Sequence, residues 1–181
     1  MRELDVEPLS ILLEPEGRNT TPAITVAALK ALEIFKDTNV EPVLLILSSD
    51  HQIKDIHNFH LAIKNSIEIA SKGNLAIFGI EPTFASTGYG YIKSENQLAY
   101  NKSLPNKVDY FIEKPNKETA ELFVKDKQYS WNSGMFVFKA NSILDEIRSF
   151  SPEIFNNCKY CLETSKKDLD FLRLEKKSFL K

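Results

Sequence analysis

Apolar and polar residues follow a regular order along the first 80 residues of the chain. Ile11–Leu13 is a short apolar run that is compatible with the end of a strand. Pro42–Leu47 and Leu75–Ile80 are apolar without alternation, which predicts strands buried on both faces, as in a parallel sheet. Two segments between these runs show the three- and four-residue spacing of amphipathic helices: Ile24, Ala27, Ala28, Ala31, Leu32 and Phe35, and Phe59, Ile63, Ile67 and Ala70.

This strand, helix, strand, helix, strand order predicts an α/β fold with right-handed crossovers. Thr20 or Thr21 can cap the first helix, with Pro22 in its first turn. In the second half, strands are predicted at Tyr89–Lys93, Val108–Glu113 and Met135–Lys139, and helices at Lys117–Lys125, at Ser142–Phe150 and in the charged tail from Ser151. We see no linker, so we predict one domain over residues 1–181.

Composition narrows the class of protein. The 181 residues carry a net charge of −2. This composition does not require a positively charged surface, so we expect no nucleic-acid partner. No apolar run is long enough to span a bilayer, and MRELDVEPLS has acids where a signal peptide is basic and then apolar. We therefore expect a cytoplasmic protein without a membrane partner.

The two cysteines, Cys158 and Cys161, form a C-x-x-C pair in a segment that reads as helical. A redox pair or half of a zinc site is one interpretation. The other is two small, partly buried helix residues in a reducing compartment, which we favour because no second Cys/His pair has matching spacing.

Three polar clusters follow predicted strands: EPEGRNT at 14–20, SSDH at 48–51 and GIEPTFASTGYGYI at 79–92. In open α/β sheets, ligands bind beyond the carboxyl ends of the strands. We therefore expect the three clusters to gather at one edge of the sheet.

The first two clusters carry candidate metal and nucleotide ligands. Asp50 can hold Mg2+ against phosphate oxygens, although an Asp there can also cap the next helix. Gly17 permits close backbone approach, and Asn19 with the helix start beyond it offers donors to an anion. Glu14 can accept both the N1–H and N2–H2 of guanine, although it can also pair with Arg18 at the surface.

The later clusters carry candidate sugar and phosphate ligands. Gly88 and Gly90 flank Tyr89, which suits a close backbone approach, although a turn entering a strand has the same composition. Lys114 can neutralise a phosphate while Glu113 accepts from hydroxyls, although a solvated ion pair is the alternative. Asn132 follows the single tryptophan in W-N-S-G, which occurs in carbohydrate sites and in ordinary turns.

In this order, the motifs resemble those of the sugar-nucleotide pyrophosphorylases, and most closely the bacterial mannose-1-phosphate guanylyltransferases. The stretches that carry the resemblance are LLEPEGRNTTPAITVAAL, LILSSDHQI, GNLAIFGIEPTFASTGYGYI, FIEKPNKETA and WNSGMFVFKA, and they cover most of residues 11–150. E-P-x-G-R-N-T together with W-N-S-G-M-F favours the mannose and guanine branch.

The resemblance implies a Rossmann-like nucleotide-diphospho-sugar transferase fold, with a mixed, mainly parallel sheet flanked by helices. It implies that mannose 1-phosphate attacks the α-phosphate of GTP, giving GDP-mannose and pyrophosphate in a Mg2+-dependent step of polysaccharide biosynthesis. The sequence leaves a homo-oligomer open.

The resemblance also implies roles for individual residues. Asp50 matches the metal-binding Asp of the family, and Lys114 matches the Lys that contacts the sugar phosphate. Sugar-contacting positions correspond to Glu113, Asn132 and Gly90, with Gly88 and Tyr89 beside them. The nucleotide-binding region corresponds to Glu14, Gly17, Arg18 and Asn19.

The sequence departs from the family in three respects. It contains no G-G-x-G-x-R-L-x-P loop of the kind that wraps the triphosphate, and SSDH replaces the commoner P-A-D-H. It also stops at FLRLEKKSFLK, before the region where the resemblance implies a further metal-binding Asp, so we expect the C-terminal part of the domain to be missing. We therefore expect an incomplete fold, the central part of a nucleotidyltransferase domain. Two rival functions are a catalytically dead sugar-nucleotide-binding regulatory protein and a glycosyltransferase of related fold, although the latter would require D-x-D where the chain has SSDH.

We predict that this chain alone shows little or no turnover, because the loop that would wrap the triphosphate is not in its sequence. The measurement is pyrophosphate release from GTP and mannose 1-phosphate. Turnover at a rate normal for the family would contradict the prediction.

Overall fold

The computed structural model describes residues 6–100 and 104–179, and they form two compact units. We call the first the helical unit, with described residues 6–42 and 140–179, and the second the sheet unit, with described residues 43–100 and 104–139. The assignment of residues 1–181 to a single domain stays a prediction.

The helical unit consists of three main helices and a small sheet. Its elements are β1 (Ile11–Leu13), α1 (Thr20–Ile34), α4 (Ala140–Phe150), α5 (Pro152–Glu163), β7 (Lys166–Asp168), β8 (Phe171–Arg173) and α6 (Lys176–Phe179). Helix α1 packs against α4 and α5, and its buried face includes Val26. Val26 belongs to a core cluster with Cys158, Cys161, Leu174 and Phe179.

The β7–β8 hairpin was missed by the sequence patterns, which predicted helix throughout the tail. Strand β8 pairs in parallel with β1, in the register Ile11↔Phe171 to Leu13↔Arg173. Both hairpin strands have three residues, and the sequence of β7 is Lys-Lys-Asp. So short and polar a segment has no periodicity of its own, and the hairpin depends on the pairing with β1.

The sheet unit is organised around one long strand. Its elements are β2 (Val43–Ile46), α2 (Ile56–Ser71), β3 (Ala76–Ile80), β4 (Tyr91–Ser94), β5 (Val108–Ile112), α3 (Lys117–Lys125) and β6 (Tyr129–Lys139). Strand β6 pairs antiparallel with β2, β3 and β4, and β5 pairs antiparallel with β4. Phe136 pairs with both β2 and β3, and Trp131 with both β3 and β4. Strand β3 therefore lies on one side of β6, with β2 and β4 on the other.

The predicted α/β class is confirmed, and the pairing of strands differs from the expectation of adjacent parallel strands. Strands β2 and β3 run in the same direction, as a strand–helix–strand unit requires, but β6 lies between them. Consequently the hydrogen-bonded pairs within this sheet are antiparallel. Only the long-range pairing of β6 produces this arrangement, and no local pattern encodes it.

Three further expectations are wrong. Strand β2 is not buried on both faces, since Val43 and Leu45 are each 36% exposed. The W-N-S-G motif at 131–134 lies inside β6 and not in a turn before it, because β6 begins at Tyr129. The first helix begins at Thr20 and Asn19 is its N-cap residue, so neither threonine is the cap.

The two cysteines are buried helix residues, as favoured above. Cys158 is 3% exposed and Cys161 is fully buried, and both are free thiols. Burial, with smaller contributions from Cys161 and Glu14, raises the pKa of Cys158 to about 12. A thiol with so high a pKa is a poor nucleophile.

Within the described ranges, every helix is too short or too polar to cross a lipid bilayer.

Tyr91 fixes the loop that precedes β4. Its side chain is fully buried, and its hydroxyl accepts from the Ser86 N–H and donates to the Ser86 carbonyl, both at 3.0 Å. Ser86 is itself 9% exposed, so its backbone groups have little access to water. One side chain therefore satisfies two nearly buried backbone groups.

We predict that Tyr91→Phe lowers the free energy of unfolding by about 1–3 kcal/mol, because it leaves both Ser86 backbone groups without a partner. The measurement is urea unfolding followed by circular dichroism. Tyr160→Phe is the matched control, since Tyr160 is 55% exposed and its change should stay within about 0.5 kcal/mol. Equal losses in the two variants would contradict the prediction.

Candidate functional site

Three of the four predicted nucleotide-binding residues line a cavity of about 420 Å³ in the helical unit. The turn between β1 and α1 contributes Gly17, Arg18 and Asn19 to its wall. The opposite wall comes from α5 and α6, through Glu153, Asn157, Cys158 and Phe179 among others. Three residues that the sequence predicted are thus brought together, beside α5 residues that it did not predict.

Asn19 has a strained backbone. Its φ is 61° and its ψ is −166°, a region of the backbone map that is essentially restricted to glycine. Its side chain makes no capping hydrogen bond to α1. A residue held there costs of order 1–3 kcal/mol, and such residues cluster at ligand sites.

Glu14 is largely exposed at the end of β1, and it is not among the residues that line the cavity. Partial burial nevertheless raises the pKa of its carboxyl group. Its negative charge also contributes to the raised pKa of Cys158, which does line the cavity. Glu14 therefore lies within electrostatic range of the cavity wall.

The contribution of α5 to this cavity was missed by sequence reasoning. Glu153 and Asn157 are four residues apart on one helix, so they share a face. That spacing is visible in the sequence, but it is common on exposed helices. The shared face of Glu153 and Asn157 becomes part of the cavity wall only because α5 packs against α1.

In the sheet unit, three predicted sugar-contacting residues meet where β4, β5 and β6 lie side by side. The Asn132 N–H donates to the Gly90 carbonyl at 2.8 Å. A Cβ atom on Gly90 would lie 2.8 Å from Oε2 of Glu113 and 2.5 Å from Cζ of Phe111. Residues from three separate segments therefore form one polar surface, and a side chain at position 90 would obstruct it.

The amide of Asn132 is held by its own strand. Its Oδ1 accepts from the Gly134 N–H at 2.9 Å, and Gly134 has a φ of +71° that favours glycine. The adjacent Ser133 hydroxyl donates to the Phe78 carbonyl at 2.7 Å. The bond from Gly134 orients the Asn132 amide and leaves its NH2 group as the part that can donate to a ligand.

Lys114 also has a strained backbone. Its φ is 46°, in the left-handed region that a lysine rarely adopts, and it precedes the buried Pro115. Its ammonium lies 3.5 Å from Oε1 of Glu113, with both side chains more than half exposed. So exposed an ion pair contributes little to stability, and the ammonium remains accessible to a phosphate.

Gly88 and Tyr89 lie in the loop that joins β3 to β4. The Gly88 N–H donates to Oγ of Ser86 at 3.2 Å, and Ser86 is bonded to Tyr91. The ring of Tyr89 is 48% exposed and packs against Trp131, with ring centroids 5.1 Å apart at 69°. The loop therefore holds Tyr89 against Trp131, whose side chain points to the opposite face of β6 from that of Asn132.

Asp50 follows β2 by four residues, in an exposed turn. The described part of the chain holds no group of three or more His, Cys, Asp or Glu side chains that could hold a metal ion. A lone carboxylate fits Mg2+ that takes its remaining ligands from phosphate oxygens and water, and it does not fit a cage made of protein ligands alone.

Two of the three polar clusters, SSDH and the cluster at 79–92, belong to the sheet unit. Ile46 at the end of β2 pairs with Phe136, and Ile80 at the end of β3 pairs with Trp131. Both strands thus run toward the N-terminal end of β6, and SSDH and the 81–90 loop follow them there. That EPEGRNT joins them stays a prediction.

A second, more open depression of about 250 Å³ on α2, lined by His60, Ile63, Lys64 and Ile67, holds none of the predicted site residues.

Known proteins resemble this chain over nearly its whole length. It is 44% identical to the mannose-1-phosphate guanylyltransferase RfbM of Salmonella typhimurium over 180 residues, which are 99% of this chain and 36% of the relative. It is also 44% identical to the xanthan biosynthesis protein XanB of Xanthomonas campestris over 179 residues, which are again 99% of this chain and 36% of the relative. The chain therefore spans about a third of the length of these relatives.

A solved structure with a similar fold is the mannose-6-phosphate isomerase of Helicobacter pylori. It matches with a TM-score of 0.79 and 35% identity, over 94% of this chain and 62% of the other. The resemblance drawn from the motifs is thereby confirmed in sequence and in fold.

The profile of the family described as Nucleotidyl transferase matches residues 2–177. Since this is almost the entire chain, the chain belongs to the nucleotidyl transferase family.

Proposed function

We propose that this chain supplies nucleotide and sugar-phosphate contacts for the synthesis of GDP-mannose and pyrophosphate from GTP and mannose 1-phosphate. In this reaction a phosphate oxygen of mannose 1-phosphate attacks the α-phosphorus of GTP, and the bond to pyrophosphate breaks. Such a transfer depends mainly on positioning and charge neutralisation.

The observation that carries the proposal is the meeting of Asn132 in β6 with Gly90 just before β4 and Glu113 just after β5, with Lys114 next to them. A carboxylate and an amide suit sugar hydroxyls, and an exposed ammonium suits the sugar phosphate. The names of the guanylyltransferase relatives support mannose 1-phosphate as the substrate.

The nucleotide contacts are assigned to the turn between β1 and α1. Glu14 accepts from the N1–H and N2–H2 of guanine, a pair of donors that adenine lacks. Gly17, Arg18 and Asn19 lie at the cavity beside the start of α1, where backbone N–H groups favour an anion.

Asp50 is the proposed protein ligand of Mg2+. When bound, the ion would neutralise charge on the phosphate oxygens during transfer. The carboxylate of Asp50 holds the ion, and phosphate oxygens and water complete its coordination.

The proposal is tested by calorimetric titration of the full chain with GDP-mannose, with and without Mg2+, using ADP-glucose as the control ligand. We expect selective binding of GDP-mannose that Mg2+ strengthens. Equal binding of ADP-glucose, or no binding by a folded sample, would contradict the proposal for this chain.

We predict that Glu14→Gln weakens GDP-mannose binding about ten-fold or more, because the amide replaces one of the two acceptors of the guanine donors by a donor. Glu16→Gln is the matched control, since Glu16 is exposed two residues away in the same turn. The thermal midpoint of each variant is measured alongside, and we expect both to remain near that of the wild type. Unchanged affinity in Glu14→Gln would rule out this role.

We predict that Asn19→Gly raises the free energy of unfolding by roughly 1 kcal/mol while it weakens GDP-mannose binding about ten-fold. Glycine relieves the strained backbone but removes the side-chain amide. Leu169→Gly is the control, because Leu169 also has a positive φ, 54°, and lies outside the candidate site. It should gain stability without losing affinity, and an Asn19→Gly variant that keeps wild-type affinity would refute the assignment.

A further inference from the structure

Strand β6 is interrupted by a bulge directly after Asn132. In the pairing of β3 with β6 the register shifts at this point, so that Phe78 of β3 faces three residues of β6, 133–135. The pairings of β6 with β2 and β4 also leave out these three residues. We call residues 133–135 the β6 bulge. Bulges are frequent next to active sites, where they change the direction of a side chain.

Side chains hold the β6 bulge together, because its backbone has no ladder partner within the described strands. Oγ of Ser133 accepts from the Met135 N–H at 3.1 Å, and Oδ1 of Asn132 accepts from the Gly134 N–H at 2.9 Å. Ser133 and Met135 are 7% and 6% exposed, so an unpaired N–H group at this place would destabilise the fold. Two consecutive residues thus each bind the N–H group two positions ahead.

Ser133 also ties the β6 bulge to the neighbouring strand. Its hydroxyl accepts from Met135 and donates to the Phe78 carbonyl, with 2.7 Å between the two oxygens. Phe78 is the residue of β3 that faces the bulge, so this bond takes the place of a ladder bond. One hydroxyl therefore fixes the bulge both internally and to β3.

Gly134 supplies the backbone conformation that the bulge requires. Its φ is +71°, in the left-handed region that favours glycine. A Cβ atom at this position would have no other atom within 4 Å. The absence of a side chain is therefore needed for the backbone angle and not for space.

We propose that Ser133 is a positioning residue for Asn132. By locking the β6 bulge to β3, its hydroxyl keeps the Gly134 N–H where it holds the Asn132 amide in the orientation that binds the sugar. This inference rests on the proposed function, in which Asn132 contacts mannose. It adds a residue whose own hydroxyl proton is engaged by the Phe78 carbonyl, so that Ser133 acts through Asn132 and not on the sugar.

The test compares calorimetric titrations with GDP-mannose and with GDP, because only GDP-mannose offers a sugar to Asn132. Ser133→Ala removes the bonds to Phe78 and Met135. We expect it to weaken GDP-mannose binding about ten-fold and to leave GDP binding unchanged. A purely structural serine would lower stability without changing the ratio of the two affinities.

Ser94→Ala is the matched control. Ser94 is 3% exposed, and its hydroxyl bonds to the carbonyls of Asn96 and Gln128 at 2.6 and 2.9 Å, at the opposite end of β4 from Gly90. This variant should lower the thermal midpoint as Ser133→Ala does, and it should leave both affinities unchanged.

A second pair of variants tests the bulge without removing a hydroxyl. Gly134→Ala fits the open space but disfavours the φ of +71°, whereas asparagine tolerates that region better. We expect Gly134→Ala to weaken GDP-mannose binding more than Gly134→Asn does, with GDP binding unchanged in both. This pair decides the question if Ser133→Ala does not fold, and equal GDP-mannose binding by the two variants would then overturn the inference.

The outcomes separate this inference from the proposed function. If the folded wild type binds no GDP-mannose, both are overturned. If the wild type binds it and Ser133→Ala keeps the ratio of the two affinities, or Ser94→Ala changes that ratio equally, the inference is overturned and the proposed function stands. A loss confined to GDP-mannose in Ser133→Ala, and absent from Ser94→Ala, supports both.

Discussion

The hydrogen-bond ladder of β6 is the constraint on which the sheet unit depends. Eleven residues, Tyr129–Lys139, pair with β3 along one side and with β2 and β4 along the other. This strand brings Asn132 to Gly90, and through β4 and β5 it brings Gly90 to Glu113. Because one strand supplies partners on both sides, backbone geometry and not flexible side chains sets the spacing of the proposed sugar-contacting residues.

Backbone strain coincides with the proposed contacts in both units. Asn19 and Lys114 hold positive φ angles, and each lies in a motif that the resemblance assigns to substrate binding. Glycine would adopt either conformation at lower energy. The proposed binding roles of Asn19 and Lys114 give a reason for keeping their side chains at the expense of stability.

The sequence by itself determined the local elements and the chemistry. Hydrophobic periodicity placed α1, α2 and the first three strands correctly, because these segments are long or strongly patterned. The motifs carried the family resemblance, because residue types and their spacing can be compared directly in the sequence. Tertiary structure alone decided what depends on distant partners: the antiparallel pairing of β6, the β7–β8 hairpin and the α5 wall of the cavity. Each of these arises from contacts between segments far apart in sequence, which the composition of any one segment does not encode.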